Sequence, residues 1–214
     1  MFKPIRWRTF PRDFLVIQSA FLIFGFAIAT MIRANLGTSP WAVFEVAMSQ
    51  ILHITPGRTT VITGFFVLSI ALSLRERVGW GTLANILSIG LWEDWALSLI
   101  RPVQNNLPVQ LAMLLGAIAC MGLASAIYIG VNAGAGPRDT LMLAIHRRFG
   151  WSVGVARGSI EVIVVTLGWL LGGPAGAGTL IFALLIGTSV QTGFKLLRVQ
   201  TRPPVEPDGI VATD

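Results

Sequence analysis

This sequence has little charge, almost no sulfur nucleophile and almost no imidazole. Of its 214 residues, 12% are charged, one is cysteine and two are histidine. A lone Cys120 excludes a disulfide framework and a thiol metal site; within its apolar run it reads as a packing residue. His53 and His146 have no partner at metal-ligand spacing, so neither a zinc site nor any other metal is expected. No phosphate loop, activated nucleophile or catalytic triad pattern occurs. The expectation is therefore a protein that is not an enzyme and takes no cofactor. The strict alternation of a transmembrane β-barrel is missing too, because the apolar runs are continuous.

Those runs are what the chain does have. Apolar residues make up 54% of it, and several stretches approach the roughly 20 residues that cross a bilayer core. A soluble chain of this length has too little interior to hide them. The class is all-α, a polytopic membrane protein whose main partner is the lipid bilayer. The net charge of +6 does not point to nucleic acid, because the basic residues sit in short loops and tails, as the positive-inside rule expects. Lys3, Arg6, Arg8 and Arg12 precede a first apolar run that is too long for a signal peptide and has no small-residue cleavage site. It reads as a retained span entering from the cytoplasm.

Six spans are expected at about 14–33, 59–74, 80–100, 108–131, 153–172 and 177–197. They divide the chain into a cytoplasmic tail (1–13), a first membrane unit (14–100), a linker (101–107), a second membrane unit (108–197) and a cytoplasmic tail (198–214). That last tail carries Pro203, Pro204 and Pro207 and reads as disordered. Two short segments remain, 40–53 and 137–150. Ser39-Pro40 and Gly136-Pro137 start them as helices should start. At about 14 residues, or roughly 21 Å, neither crosses a core of about 30 Å comfortably. They are expected to be re-entrant or to lie at the interface.

The two membrane units are related in sequence. At an offset of 97 residues, Asn35 meets Asn132, Gly37 meets Gly134, Pro40 meets Pro137, and Gly81-Thr82-Leu83 meets Gly178-Thr179-Leu180. About a quarter of the pairs from residue 25 to residue 99 are identical, against roughly a tenth from apolar composition alone. Three spans per repeat is an odd number, so the 3+3 reading makes the repeats inverted; a parallel 4+4 arrangement is the rival. Both put the two termini in the cytoplasm of a bacterial inner membrane. The charges of 137–150 favour the inverted form.

Charges inside spans cost about 2.5–3.5 kcal/mol each on insertion, so they mark candidate sites. Arg157 and Glu161 stand four residues apart on one helical face and can pair. Glu161 reads as a coupling carboxylate and Arg157 as its counter-ion or a substrate anchor, or the two form a structural pair. Glu93 and Asp94, between Trp92 and Trp95, fall near mid-depth or in a solvated aromatic belt. Glu45 lies in the first short helix, with Met142 as its mate. Asn35 and Asn132 suit left-handed backbone before the corners formed by Gly37, Ser39, Pro40 and by Gly134, Gly136, Pro137. Helix N-termini there, with Arg138 and Asp139, can line a site for a small polar or anionic solute. Gly81-Thr82 and Gly178-Thr179 read as points of close helix approach. Arg138, Asp139, Arg157 and Glu161 have uncharged mates, so the second half is expected to hold the chemistry.

The motifs Gly37-Thr38-Ser39-Pro40-Trp41, Gly136-Pro137-Arg138-Asp139, Arg157 with Glu161, and Leu171-Gly172-Gly173 resemble the YczE/YyaS/YitT group of bacterial integral membrane proteins. The likeness covers about 14–197 and implies a multi-pass protein of the cytoplasmic membrane rather than any particular activity. The chain departs from that pattern at Thr188-Ser189, where related chains often carry Gly-Pro. Two functions follow as expectations. One is a small secondary transporter; the other is an accessory membrane protein that binds a partner and moves nothing. Small-residue faces also permit a homodimer.

Overall fold

The computed structural model describes residues 7–76 and 78–198. These form eight helices: α1 (Phe10–Ala34), α2 (Pro40–Leu52), α3 (Pro56–Ser73), α4 (Trp80–Leu99), α5 (Leu107–Val131), α6 (Pro137–Phe149), α7 (Val153–Leu170) and α8 (Ala177–Leu196). Five of them, α1, α3, α5, α7 and α8, are long and apolar enough to cross a membrane. The protein is an all-helical, multi-pass membrane protein. With 20 residues α4 has the length of a span, but its polar Asn85, Glu93 and Asp94 lower its hydropathy. The expected disorder of the C-terminal tail concerns, from residue 199 on, positions outside the described residues. Residues 1–6 lie outside them too. Helix α1 begins four residues before the expected first span, at Phe10, with Pro11 in its first turn.

Local chemistry sets the boundaries. The Ser39 hydroxyl accepts from the Ala42 amide at the start of α2, while Thr55 and Ser152 do the same for Arg58 on α3 and Val155 on α7. Each satisfies one of the N–H groups that a helix start leaves without a partner. Asn35 and Asn132 end α1 and α5 in the left-handed region, each at φ 55°. Every boundary of α1 to α4 recurs 97 positions later in α5 to α8. The short helices, at 13 residues each, extend roughly 20 Å.

Helices α1 and α5 pack together at the centre, with α4 against α1 and α8 against α5. Ile17, Phe21, Ile28, Met31, Leu114, Ile118, Met121 and Phe182 form the main core between them. The short helices cross over: α2 lies against α7, and α6 lies against α3. The starts of α4 and α8 also reach across, each to the other unit's corner. Gly81 N–H donates to Ala133 O at 3.1 Å, and Gly178 N–H donates to Leu36 O at 2.7 Å. The expected close approach at Gly81 and Gly178 is thus present, and its partner is the opposite corner.

One pairing breaks the correspondence. Helices α3 and α4 pack closely, whereas their counterparts α7 and α8 barely touch. Only Ala156 and Gly168 of α7 are buried. Cys120, expected to pack inside, is exposed; it borders an apolar outer groove with Leu22, Phe26 and Gly116. That side of α5 faces away from the core.

Candidate functional site

The crossover brings the two corners together. Ser39 and Pro40 from one, and Gly136 and Pro137 from the other, line a single cavity of about 150 Å3 between the two units. Arg138 and Asp139 line it from α6, Arg157 and Glu161 from α7, Thr60 from α3, Asn85 from α4 and Tyr128 from α5. Apolar walls come from Ile28, Ile86, Met121 and Phe182. A small, mostly apolar cavity with a few convergent polar groups is the ordinary form of a small-molecule site.

Each charge on the wall has a partner. Arg138 Nη2 donates to Glu45 Oε1 at 2.6 Å, and its guanidinium lies 4.8 Å from the centre of the Trp41 ring. Glu45 is 1% exposed, so this ion pair is anchored from behind the cavity wall. Arg157 Nε donates to Glu161 Oε1 at 3.0 Å. These two side chains remain 50% and 26% exposed, because the gap between α7 and α8 opens beside them. Tyr128 donates its hydroxyl proton to Asp139 Oδ2 at 2.9 Å. The N-cap of α6 is Gly136, which supplies no side-chain acceptor. Asp139, Asn85 and Tyr128 are grouped about Gly136.

Glu93 is fully buried on α4 and accepts from the Thr60 hydroxyl at 2.9 Å. It is not solvated. Asp94 does different work, accepting from Gly57 N–H at 2.8 Å and from the Thr55 hydroxyl at the start of α3. Of the expected site residues, Arg138, Asp139, Arg157, Glu161, Ser39, Pro40, Gly136 and Pro137 meet at the cavity, with Glu45 and Glu93 directly behind it. Asn35, Asn132 and Asp94 do not join them. The two asparagines are exposed helix ends, so their short polar side chains serve backbone geometry. Gly37 and Gly134, at φ 104° and 139°, turn the chain and receive the opposite unit: a Cβ on Gly37 would meet Gly176 N at 2.7 Å.

The first half also contributes: Thr60 lines the cavity, and Glu45 and Glu93 are buried behind it. Tyr128, Thr60 and Asn85 are functional candidates that sequence reasoning did not single out. Tyr128 is the chain's only tyrosine, and Asn85 interrupts an apolar run; both were available signals. Replacing Tyr128 with phenylalanine is expected to lower stability by about 1–2 kcal/mol, the cost of an acceptor left unpaired in a mostly buried place. Thermal melting of the purified protein, with Asp139→Asn as the companion variant, checks this.

The family model described as "Family of unknown function (DUF6198)" matches residues 11–195. The chain belongs to that family. An "Uncharacterized protein" of Haemophilus influenzae is 32% identical over 185 residues, covering 86% of this chain and 84% of that one. The "Uncharacterized membrane protein YczE" of Bacillus subtilis is 30% identical over 168 residues, covering 78% of each. YyaS of the same organism is 26% identical over 170 residues, 78% of this chain and 84% of its own. The resemblance to the YczE and YyaS group therefore stands. No solved structure matches the chain.

Proposed function

We propose that this DUF6198 member is a small secondary transporter of a polar or anionic solute in the bacterial cytoplasmic membrane. The observation that carries the reading is the cavity lined jointly by both corners and by Arg138, Asp139, Arg157 and Glu161. In this reading α1, α3, α4, α5, α7 and α8 are six spans, and α2 and α6 are re-entrant. The recurrence of every helix boundary at an offset of 97 supports two repeats, inverted because each contributes three spans. Helix N-termini meeting charged side chains where two repeats join is the usual construction of a transporter binding site. The amides of α6, with Arg138 and Arg157, suit an anionic group, and Asp139 with Glu161 suits a positive or hydrogen-bonding one.

Proteoliposomes on a solid-supported membrane, challenged in turn with amino acids, carboxylates, phosphate and sugars, test the proposal. One class is expected to evoke a transient current that empty liposomes lack. Arg157→Gln and Glu161→Gln should each reduce that current about tenfold or more, the equivalent of one lost charge-assisted hydrogen bond. Currents unchanged in both variants remove the pair from the pathway. Silence towards every class sinks the transport reading.

The accessory-protein alternative draws on one specific feature, the open face of α7. A stoichiometric partner that co-purifies through α7, with no solute current, would favour that reading over transport.

A further inference from the structure

Glu45 and Glu93 are 1% and 0% exposed, and each keeps one carboxylate oxygen, Oε2 of Glu45 and Oε1 of Glu93, buried without a hydrogen-bond partner. Their other oxygens are held by Arg138 and by Thr60. Thr60 stands beside both acids, but its single proton goes to Glu93. The charges facing this cluster are few. Arg138 comes from α6 and Asp94 from α4 itself. Helix α1 presents Gly25 to the backbone at Glu93. On α7, which packs against α2, Arg157 and Glu161 pair with each other.

The charge count then decides the matter. Two carboxylates and one guanidinium leave one negative charge on buried side chains, and Asp94 beside them can only add to it. An unpaired buried ion costs several kcal/mol, a large share of the 5–15 kcal/mol by which a fold is normally stable. A bound positive charge would remove that cost.

We propose that Glu45, Glu93 and Thr60 form a binding site for one monovalent cation, a proton or Na+. A proton on either acid removes the surplus negative charge; a sodium ion would do the same with oxygen ligands from these groups. The site occurs once per chain, because the mates of Glu45 and Glu93 are Met142 and Val190. It touches the solute cavity through Thr60 and Arg138, both of which line that cavity. Arg138 serves both places. An anion that draws its guanidinium into the cavity leaves two carboxylates to attract the cation, so each ligand strengthens the other. That linkage describes symport, and this last step rests on the transport reading; the cation site itself does not.

The test is thermal melting of the full-length protein in detergent, with sodium chloride replaced stepwise by choline chloride, and separately across pH in sodium-free buffer. The melting point of the wild type is expected to rise with the logarithm of sodium or of proton concentration, and the responding series identifies the ion. Glu93→Gln removes one of the two carboxylates and should flatten that dependence. Should it fail to fold, Glu45→Gln is expected to flatten it equally. A wild type indifferent to both ions, or a variant that keeps the wild-type slope, overturns the site. Melting requires no solute, so that failure leaves the transport reading standing. Silence in the solute screen with an intact, Glu93-dependent melting shift upholds the site and sinks transport alone.

Discussion

Replacing Arg138 with alanine is expected to cost about 3 kcal/mol of stability, far more than Glu45→Gln. Removing one partner of a buried ion pair costs about 3–5 kcal/mol, because the other charge stays behind without compensation. The lower end applies because the Arg138 side chain is 29% exposed towards the cavity, whereas Glu45 is 1% exposed. The two substitutions are not equivalent. Without Arg138, Glu45 and Glu93 face each other with no cation from the protein nearby, and the packing of Arg138 on Trp41 is lost as well. Without the charge on Glu45, Arg138 and Glu93 still balance, and a glutamine of the same shape can accept from Arg138. Chemical or thermal unfolding of both variants measures the contrast. Equal losses would mean that the cluster is held by something other than charge balance. Raising the sodium or proton concentration should recover part of what Arg138→Ala loses, and should do little for Glu45→Gln.

Much of the fold is legible in the sequence because helix boundaries are local. Ser39-Pro40 and Gly136-Pro137 start the short helices where capping chemistry puts them. Asn35 and Asn132 end their long neighbours at the same left-handed angle. The site is less legible, for a physical reason. In a membrane protein the lipid-facing and core-facing sides of a helix are both apolar. The buried side of α4 and the open side of α7 therefore read alike. Glu93, between two tryptophans, has the pattern of an interfacial acid until α1 and α3 are seen to enclose it. Glu161 draws attention because Arg157 stands four residues away, yet that pair is partly exposed, while the fully buried acids, Glu45 and Glu93, have no opposite charge nearby in sequence. Only the exchange of α2 and α6 between the units joins Glu45 to Arg138, and no local pattern encodes an exchange.

A disulfide between Gly154→Cys and Gly187→Cys, in a Cys120→Ser background, is expected to form within one chain in oxidised proteoliposomes. The argument comes from their mates. Gly57 on α3 and Gly90 on α4 are in direct backbone contact, and a Cβ on either would fall on the other's carbonyl oxygen. Asp94 closes the end of that seam by binding Gly57 and Thr55. Gly154 and Gly187 occupy the same places on α7 and α8, yet nothing lies within 4 Å of where their Cβ atoms would be. Ser152 and Gln191 stand in for Thr55 and Asp94. A glycine inside a helix costs up to about 1 kcal/mol relative to alanine, a cost that close packing can offset in the first half and that nothing offsets in the second. One helix pair thus exists in two arrangements, closed in the first unit and open in the second. The open one exposes Arg157 and Glu161 at the cavity. In the proposed transport reading, alternating access exchanges these arrangements between the units and would bring Gly154 and Gly187 into the under-7 Å range that a disulfide requires. A cross-linked band at monomer size that stops the solute current fits this motion. A band at dimer size instead means that a second copy covers α7, and no band at all means that the gap stays open. Leucine at the two α8 and α4 glycines separates motion from folding. Gly187→Leu should fold and lose flux, because it obstructs only the closed arrangement. Gly90→Leu should fail to fold, because its space is already filled by Gly57.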